Sequence, residues 1–195
     1  MATTNRARPS WTMRPPVRKL VLTTHVGTSV GWPGAVTVFI ALAAIGFTSP
    51  DIQIVRSVLL LMEPAAWYVL VPLALTSLLT GIIQSLGTAW GLFHHWWVII
   101  KLLIAVVATI ILVIYMSTFN QMALIAADST STNAALRSFA GSALLHGVVA
   151  WFALQVAVGL SIYKPRGVTR YGYRKQTQNH PRSTATEKSQ TQQQG

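Results

Sequence analysis

Histidine has the widest chemistry of any residue type in this chain, and four of the five histidines, His25, His94, His95 and His146, fall in or beside long apolar stretches. An imidazole in that setting can ligate copper or haem iron, or pass a proton. Lys101, inside the third apolar stretch, is another ionisable group at such depth. The partners these groups need are scarce. Asp and Glu number 4 against 15 Lys and Arg, and cysteine is absent. Paired-carboxylate catalysis and carboxylate proton relays therefore lack their components. The missing thiols remove disulfides, thiolate metal sites and c-type haem attachment. A Ser-His-Asp triad would need Asp51 or Asp128 to reach a buried histidine from outside the membrane. No strand-to-helix GxSxG turn is expected, and Walker, Rossmann and HExxH patterns are missing. The residues point away from an enzyme.

The elements that must position the histidines follow from hydropathy. The chain is 52% hydrophobic and 10% charged, far from the roughly 25% charge of a soluble domain. A hydrocarbon core of about 30 Å needs about 20 apolar residues in a helix, and four stretches qualify: 20–47, 64–86, 96–119 and 138–163. The expected fold is all-α, a polytopic four-helix transmembrane bundle over 20–163, between a basic N-terminal arm, 1–19, and a basic, then disordered tail, 164–195. A signal peptide ending at the Ala-Leu-Ala of 41–43 is a competing reading of the first stretch, but that stretch is too long for an h-region. Ser49, Pro50 and Asp51 resemble a helix start, and Ile52, Val55, Leu59 and Met62 recur at helical spacing. They predict a short interfacial helix in the first outer loop.

Orientation follows from the flanks. Arg6, Arg8, Arg14, Arg18 and Lys19 precede the first span, and Lys164, Arg166, Arg170, Arg174, Lys175, Arg182 and Lys188 follow the last. Basic flanks stay inside, which predicts both termini in the cytoplasm and Thr48–Glu63 and Asn120–Arg137 outside. The basic tails suit anionic headgroups. Their Tyr, Arg and Lys lack any nucleic-acid-binding motif, so nucleic acid is not an expected partner.

Helix periodicity groups the polar residues inside the spans. Gly27 and Gly31 form GxxxG, a pattern that lets two backbones approach closely, while His25, Ser29 and Trp32 share a stripe at i, i+4 and i+7. Pro33 should bend this helix. Ser77, Thr80, Gly81 and Gln84 form a stripe on the second span, and Ser142, His146, Ala150 and Ala153 form one on the fourth. These are the expected packing seams. The third span is apolar nearly all round and should face lipid most, with Trp96, Trp97 and Lys101 anchoring it at the interface. Headgroups, water, backbone carbonyls or the hydroxyls of Thr23 and Thr24 are the expected partners of Lys101.

Height tests which histidines could share a metal. At 1.5 Å per residue, His25 lies about 8 Å above Leu20 and His146 about 25 Å above Tyr163, too far apart for one iron. His25, His94 and His95 are nearer in height and form the metal or haem candidate. Against it stand ordinary roles: hydrogen bonding between helices for His25 and His146, and the headgroup boundary for His94 and His95.

The stretches HVGTSVGWPGAV, with His25, Trp32 and Gly34, and GLFHHWWVIIK, with Gly91, Trp96, Trp97 and Lys101, resemble a family of uncharacterised bacterial integral membrane proteins. That family is distantly similar to the membrane portion of copper-resistance D proteins. The resemblance covers the four spans and implies a four-helix protein of the bacterial inner membrane without an assigned activity, with His25 as the matching position that could ligate copper. The leading expectation is a non-enzymatic membrane component without a cofactor, acting through seams and basic tails with a second copy, another membrane protein or lipid. The alternatives are a copper or haem protein using His25 with His94 or His95, and a small transporter or channel.

Overall fold

The computed structural model describes residues 13–86 and 96–163. Within them every element is helical: α1 (Pro15–Thr48), α2 (Ile52–Ala65), a π-helical turn (Ala66–Leu70), α3 (Val71–Leu86), α4 (Trp96–Ala127) and α5 (Asn133–Tyr163). Because α2, the π turn and α3 run on without a break, four helices are long and apolar enough to cross a membrane: Pro15–Thr48, Ile52–Leu86, Trp96–Ala127 and Asn133–Tyr163. At 31 to 35 residues each is about 46–53 Å long, well beyond a hydrocarbon core of about 30 Å.

Two prolines bracket the change of pitch in the second helix. Pro64 and Pro72 have no N–H to give, so the carbonyls four residues earlier lose their helical partners. Between them the Val71 N–H reaches back to the Ala66 carbonyl, one residue further than α-helical pairing, which is a common way for a helix to absorb a local defect. In α1, Pro33 is buried inside a helix that continues through it.

Packing makes a ring. α1 lies against α3 and α5, α4 lies against α3 and α5, and α2 leans across one end to touch α1, α4 and α5. The largest fully buried side chains, Val55, Leu59, Met62, Met122 and Leu136, gather at that end. The α2 residues expected to meet lipid as a separate interfacial helix therefore meet protein instead. α1, α4 and α5 supply the apolar cover, which removes the face from water at about 25 cal/mol per Å², as lipid would. At the other end the packing loosens, and no residue of α1 before Trp32 or of α4 before Thr109 is buried. α4 has the least buried apolar window of the four long helices, so it is the one most exposed on the outside of the bundle.

The connections at the α2 end are tied by two arginines. Arg56 donates to the carbonyls of Ala126 at 2.8 Å, Asp128 at 2.6 Å, Ser131 at 3.2 Å and Ser129 at 3.4 Å, closing the C-terminus of α4. Arg137 donates to Ser49 O at 2.6 Å and Phe47 O at 3.2 Å, closing α1. Each guanidinium meets the negative end of a helix dipole. The cap of α2 is Asp51, whose carboxylate accepts from the Gln53 amide at 2.8 Å; Ser49, expected to start that helix, instead ends α1. The amide and hydroxyl of Thr130, with Arg56 nearby, hold the exposed Asp128 carboxyl below its ordinary value. The outer loop expected over 120–137 shrinks to 128–132, since α4 and α5 extend into it.

Candidate functional site

A polar centre forms where α1, α3 and α4 converge toward the basic end of the bundle, the end at which α1 begins with Arg14, Arg18 and Lys19. His25 Nδ1 lies 3.2 Å from the Ser77 carbonyl and 3.1 Å from Thr80 Oγ1, and its Nε2 lies 3.4 Å from Lys101 Nζ. The hydrogen bonds assign the ring tautomer. The Ser77 carbonyl can only accept, and Thr80 spends its own hydrogen on the Thr76 carbonyl at 2.6 Å, so both ask Nδ1 for a proton. Nδ1 carries the hydrogen, and Nε2 presents its lone pair to the Lys101 ammonium.

Ser29, one turn above His25, joins the centre through Ser77 Oγ at 2.9 Å and approaches both ring nitrogens at 3.4–3.5 Å. Gly81 makes room for the ring: a Cβ there would stand 3.0 Å from His25 Cε1. The stripe of His25, Ser29 and Trp32 and that of Ser77, Thr80 and Gly81 thus face each other, with Gln84 half-buried a turn beyond. Lys101 turns inward to imidazole rather than to Thr23 or Thr24. This link spans 76 residues of sequence.

Ser29 is also the centre of Gly27-Thr28-Ser29-Val30-Gly31, so the letters GxSxG do occur. They lie inside α1 rather than at a turn, where neighbouring amides are spent within the helix and cannot serve as an oxyanion hole. Asp51, Glu63 and Asp128, the described acids, lie on or beside α2 and the 128–132 loop, so none of the described carboxylates orients His25.

The two glycines of the GxxxG pattern have different surroundings within the bundle. Gly27 is exposed, with nothing within 4 Å of where its Cβ would be, and at Gly31 a Cβ would make ordinary contact with Leu73 at 3.5 Å. Besides Gly81 against His25 between α1 and α3, tight approach is found in the α1–α5 pair: a Cβ on Gly147 would meet Ile40 Cγ1 at 3.0 Å, and one on Gly141 would meet Phe47 Cε2 at 3.1 Å. The inward stripe of α1 is set by His25, Trp32, Val36 and Phe39, which turns Gly27 away.

His146 makes a second, separate group. Its Nδ1 donates to the Ser142 carbonyl at 2.8 Å, Tyr115 Oη lies 3.3 Å from Ser142 Oγ, and the Tyr115 and His146 rings lie 4.8 Å apart. Tyr115 also packs edge-on to Phe119, which meets Phe39 of α1. Thus His25 works between α1, α3 and α4, whereas His146 works between α4 and α5. His94 and His95 lie outside the described residues, as does Gly91. Among the described residues no group of three or more His, Asp or Glu could hold a metal ion. Trp96 is exposed and Trp97 half-buried at the start of α4.

These features define the class as a helical protein with four helices suited to crossing a membrane and a His–Lys centre among three of them. Compared with models of known families, with curated proteins and with solved structures, the chain matches none.

Proposed function

We propose that this chain is a non-enzymatic integral membrane component, working with a second copy, another membrane protein or anionic lipid, and that His25 fastens its helices rather than carrying a metal. The observation that carries the reading is that both His25 nitrogens are engaged. Nδ1 gives its hydrogen to α3, and Nε2 faces an ammonium where a metal cation would have to sit. Copper or haem iron at Nε2 would have to displace Lys101. The resemblance to the four-span family supports the class of protein and adds no activity.

In this reading both termini lie in the cytoplasm of the bacterial inner membrane, on the strength of the basic flanks. Exposed aromatic residues mark the two boundaries: Trp96 and Tyr163 at the basic end, Trp67 and Tyr68 at the other. From Tyr68 to Leu86 is about 27 Å of helix, close to a hydrocarbon thickness. α2 then stands outside the bilayer, and His146, about 25 Å above Tyr163, sits just below the far boundary with Tyr115, where an amphipathic ring is at home.

Metal and haem analysis of gently purified protein, with His25→Gln beside it, tests the proposal. Gln keeps a donor and an acceptor, so the variant should lose about 1 kcal/mol of stability and nothing spectroscopic. A stoichiometric metal or Soret band that vanishes in His25→Gln would replace this reading with a cofactor protein.

A further inference from the structure

We propose that the basic-end mouth of the bundle binds a phosphate oxyanion through Lys101, with the Ser29–Ser77 hydroxyl pair as its neutral donors. The inference rests on the reading of His25 as a neutral, structural imidazole. It begins from a charge without a counter-charge among the described residues. Lys101 is half-buried and held inward by a ring nitrogen that bears no negative charge, and an ammonium has three donors of which His25 Nε2 takes one.

The chain offers little to neutralise it. Asp51, Glu63 and Asp128 belong to the α2 end, the 87–95 segment contains no acid, and the remaining one, Glu187, sits in a tail rich in Lys and Arg. A cation at such depth is expensive unless paired, and an anion from outside the chain would supply the pair that no described acid does.

The site has the means to receive it. At the basic end Lys101 reaches across to His25, and there the packing is open enough that no residue of α1 before Trp32 or of α4 before Thr109 is buried. Ser29 and Ser77 share two hydroxyl hydrogens, of which their mutual 2.9 Å bond uses one; the other can turn to an anion. Arg14 at the N-cap of α1, with Arg18 and Lys19 in its first turns, adds positive charge at the same end. A phosphate or phosphodiester has two or more charged oxygens, enough to accept from the ammonium and from a serine together. The same chemistry is carried by an anionic lipid headgroup and by free phosphate.

The test uses the full chain in an uncharged detergent at 0.5 M NaCl, where a Debye length of roughly 4 Å screens the exposed tails. Thermal midpoints are recorded with phosphatidylglycerol, with diacylglycerol, which has the same chains and no phosphate, and with inorganic phosphate, since a ligand of the folded state raises the midpoint. Phosphatidylglycerol should stabilise the wild type and Lys101→Arg, diacylglycerol should not, and Lys101→Met should bind about tenfold more weakly. A Lys101-dependent shift with inorganic phosphate would assign the site to the free anion. No shift with either phosphate probe, or one undiminished in Lys101→Met, would overturn the proposal. Should Lys101→Met fail to fold, phosphorus analysis of delipidated wild type decides: about one phosphate or phosphatidylglycerol retained per chain supports the site, none refutes it. A metal or haem found in the parent protein would sink the preceding reading without altering these shifts.

Discussion

Replacing Arg56 with Met keeps an unbranched apolar stem and removes the guanidinium that closes α4. Four carbonyls lose their donor, but not equally. The acceptors on Asp128 and Ser129 are exposed, so water can replace the arginine, whereas those on Ala126 and Ser131 are partly buried. Hydrogen bonds to a charged group contribute about 1.5–3 kcal/mol when sheltered, and the helix-end charge adds about 0.3–1 kcal/mol. With the exposed pair discounted, and the two partly buried bonds, which share one guanidinium and are only half sheltered, counted together as one, the expected loss is about 2–4 kcal/mol. For a chain of this length that corresponds to a fall in Tm of roughly 4–16 °C. Circular dichroism of the detergent-solubilised protein reads the midpoint, and hydrogen exchange across 128–136 reads the local effect. Arg56→Lys should recover less than half, because an ammonium lacks the planar fork that spans several carbonyls. If Arg56→Met stayed within about 0.5 kcal/mol of the parent and exchange at 128–136 did not change, the clamp would be incidental and the argument wrong.

Two further expectations concern packing and orientation. Gly147→Leu should cost about 1–3 kcal/mol by crowding Ile40, while Gly27→Ala should be neutral or gain up to about 1 kcal/mol from helix propensity; thermal midpoints that rank the two the other way would return the seam to Gly27. For the proposed topology, a Ser189→Cys variant should resist membrane-impermeant thiol reagents in intact cells, the native chain having no cysteine to interfere. Labelling from outside would reverse the orientation.

The local periodicities were legible in the residues alone. Long runs without charge require helices that bury their backbone bonds in lipid, and the 3.6-residue repeat puts His25, Ser29 and Trp32 on one stripe and Ser77, Thr80 and Gly81 on another wherever those helices lie. The same arithmetic separates His25 from His146, because rise per residue is a property of one helix. What one helix cannot specify is how far it turns about its own axis and which neighbour it meets. GxxxG at Gly27 reads as a seam until the larger residues on the other face, Trp32, Val36 and Phe39, take the interior and turn it outward. Pro50 and Ser49 read as a helix start until Arg137 claims the Ser49 carbonyl to finish α1, leaving Asp51 to cap α2. Ile52, Val55, Leu59 and Met62 read as a lipid-facing stripe because amphipathicity gives a direction without naming the surface in front of it; α1, α4 and α5 supply that surface. Lys101 and His25 meet only when α4 is set beside α3 with the right rotation. That choice is made by packing across the whole bundle, and no short window of sequence contains it.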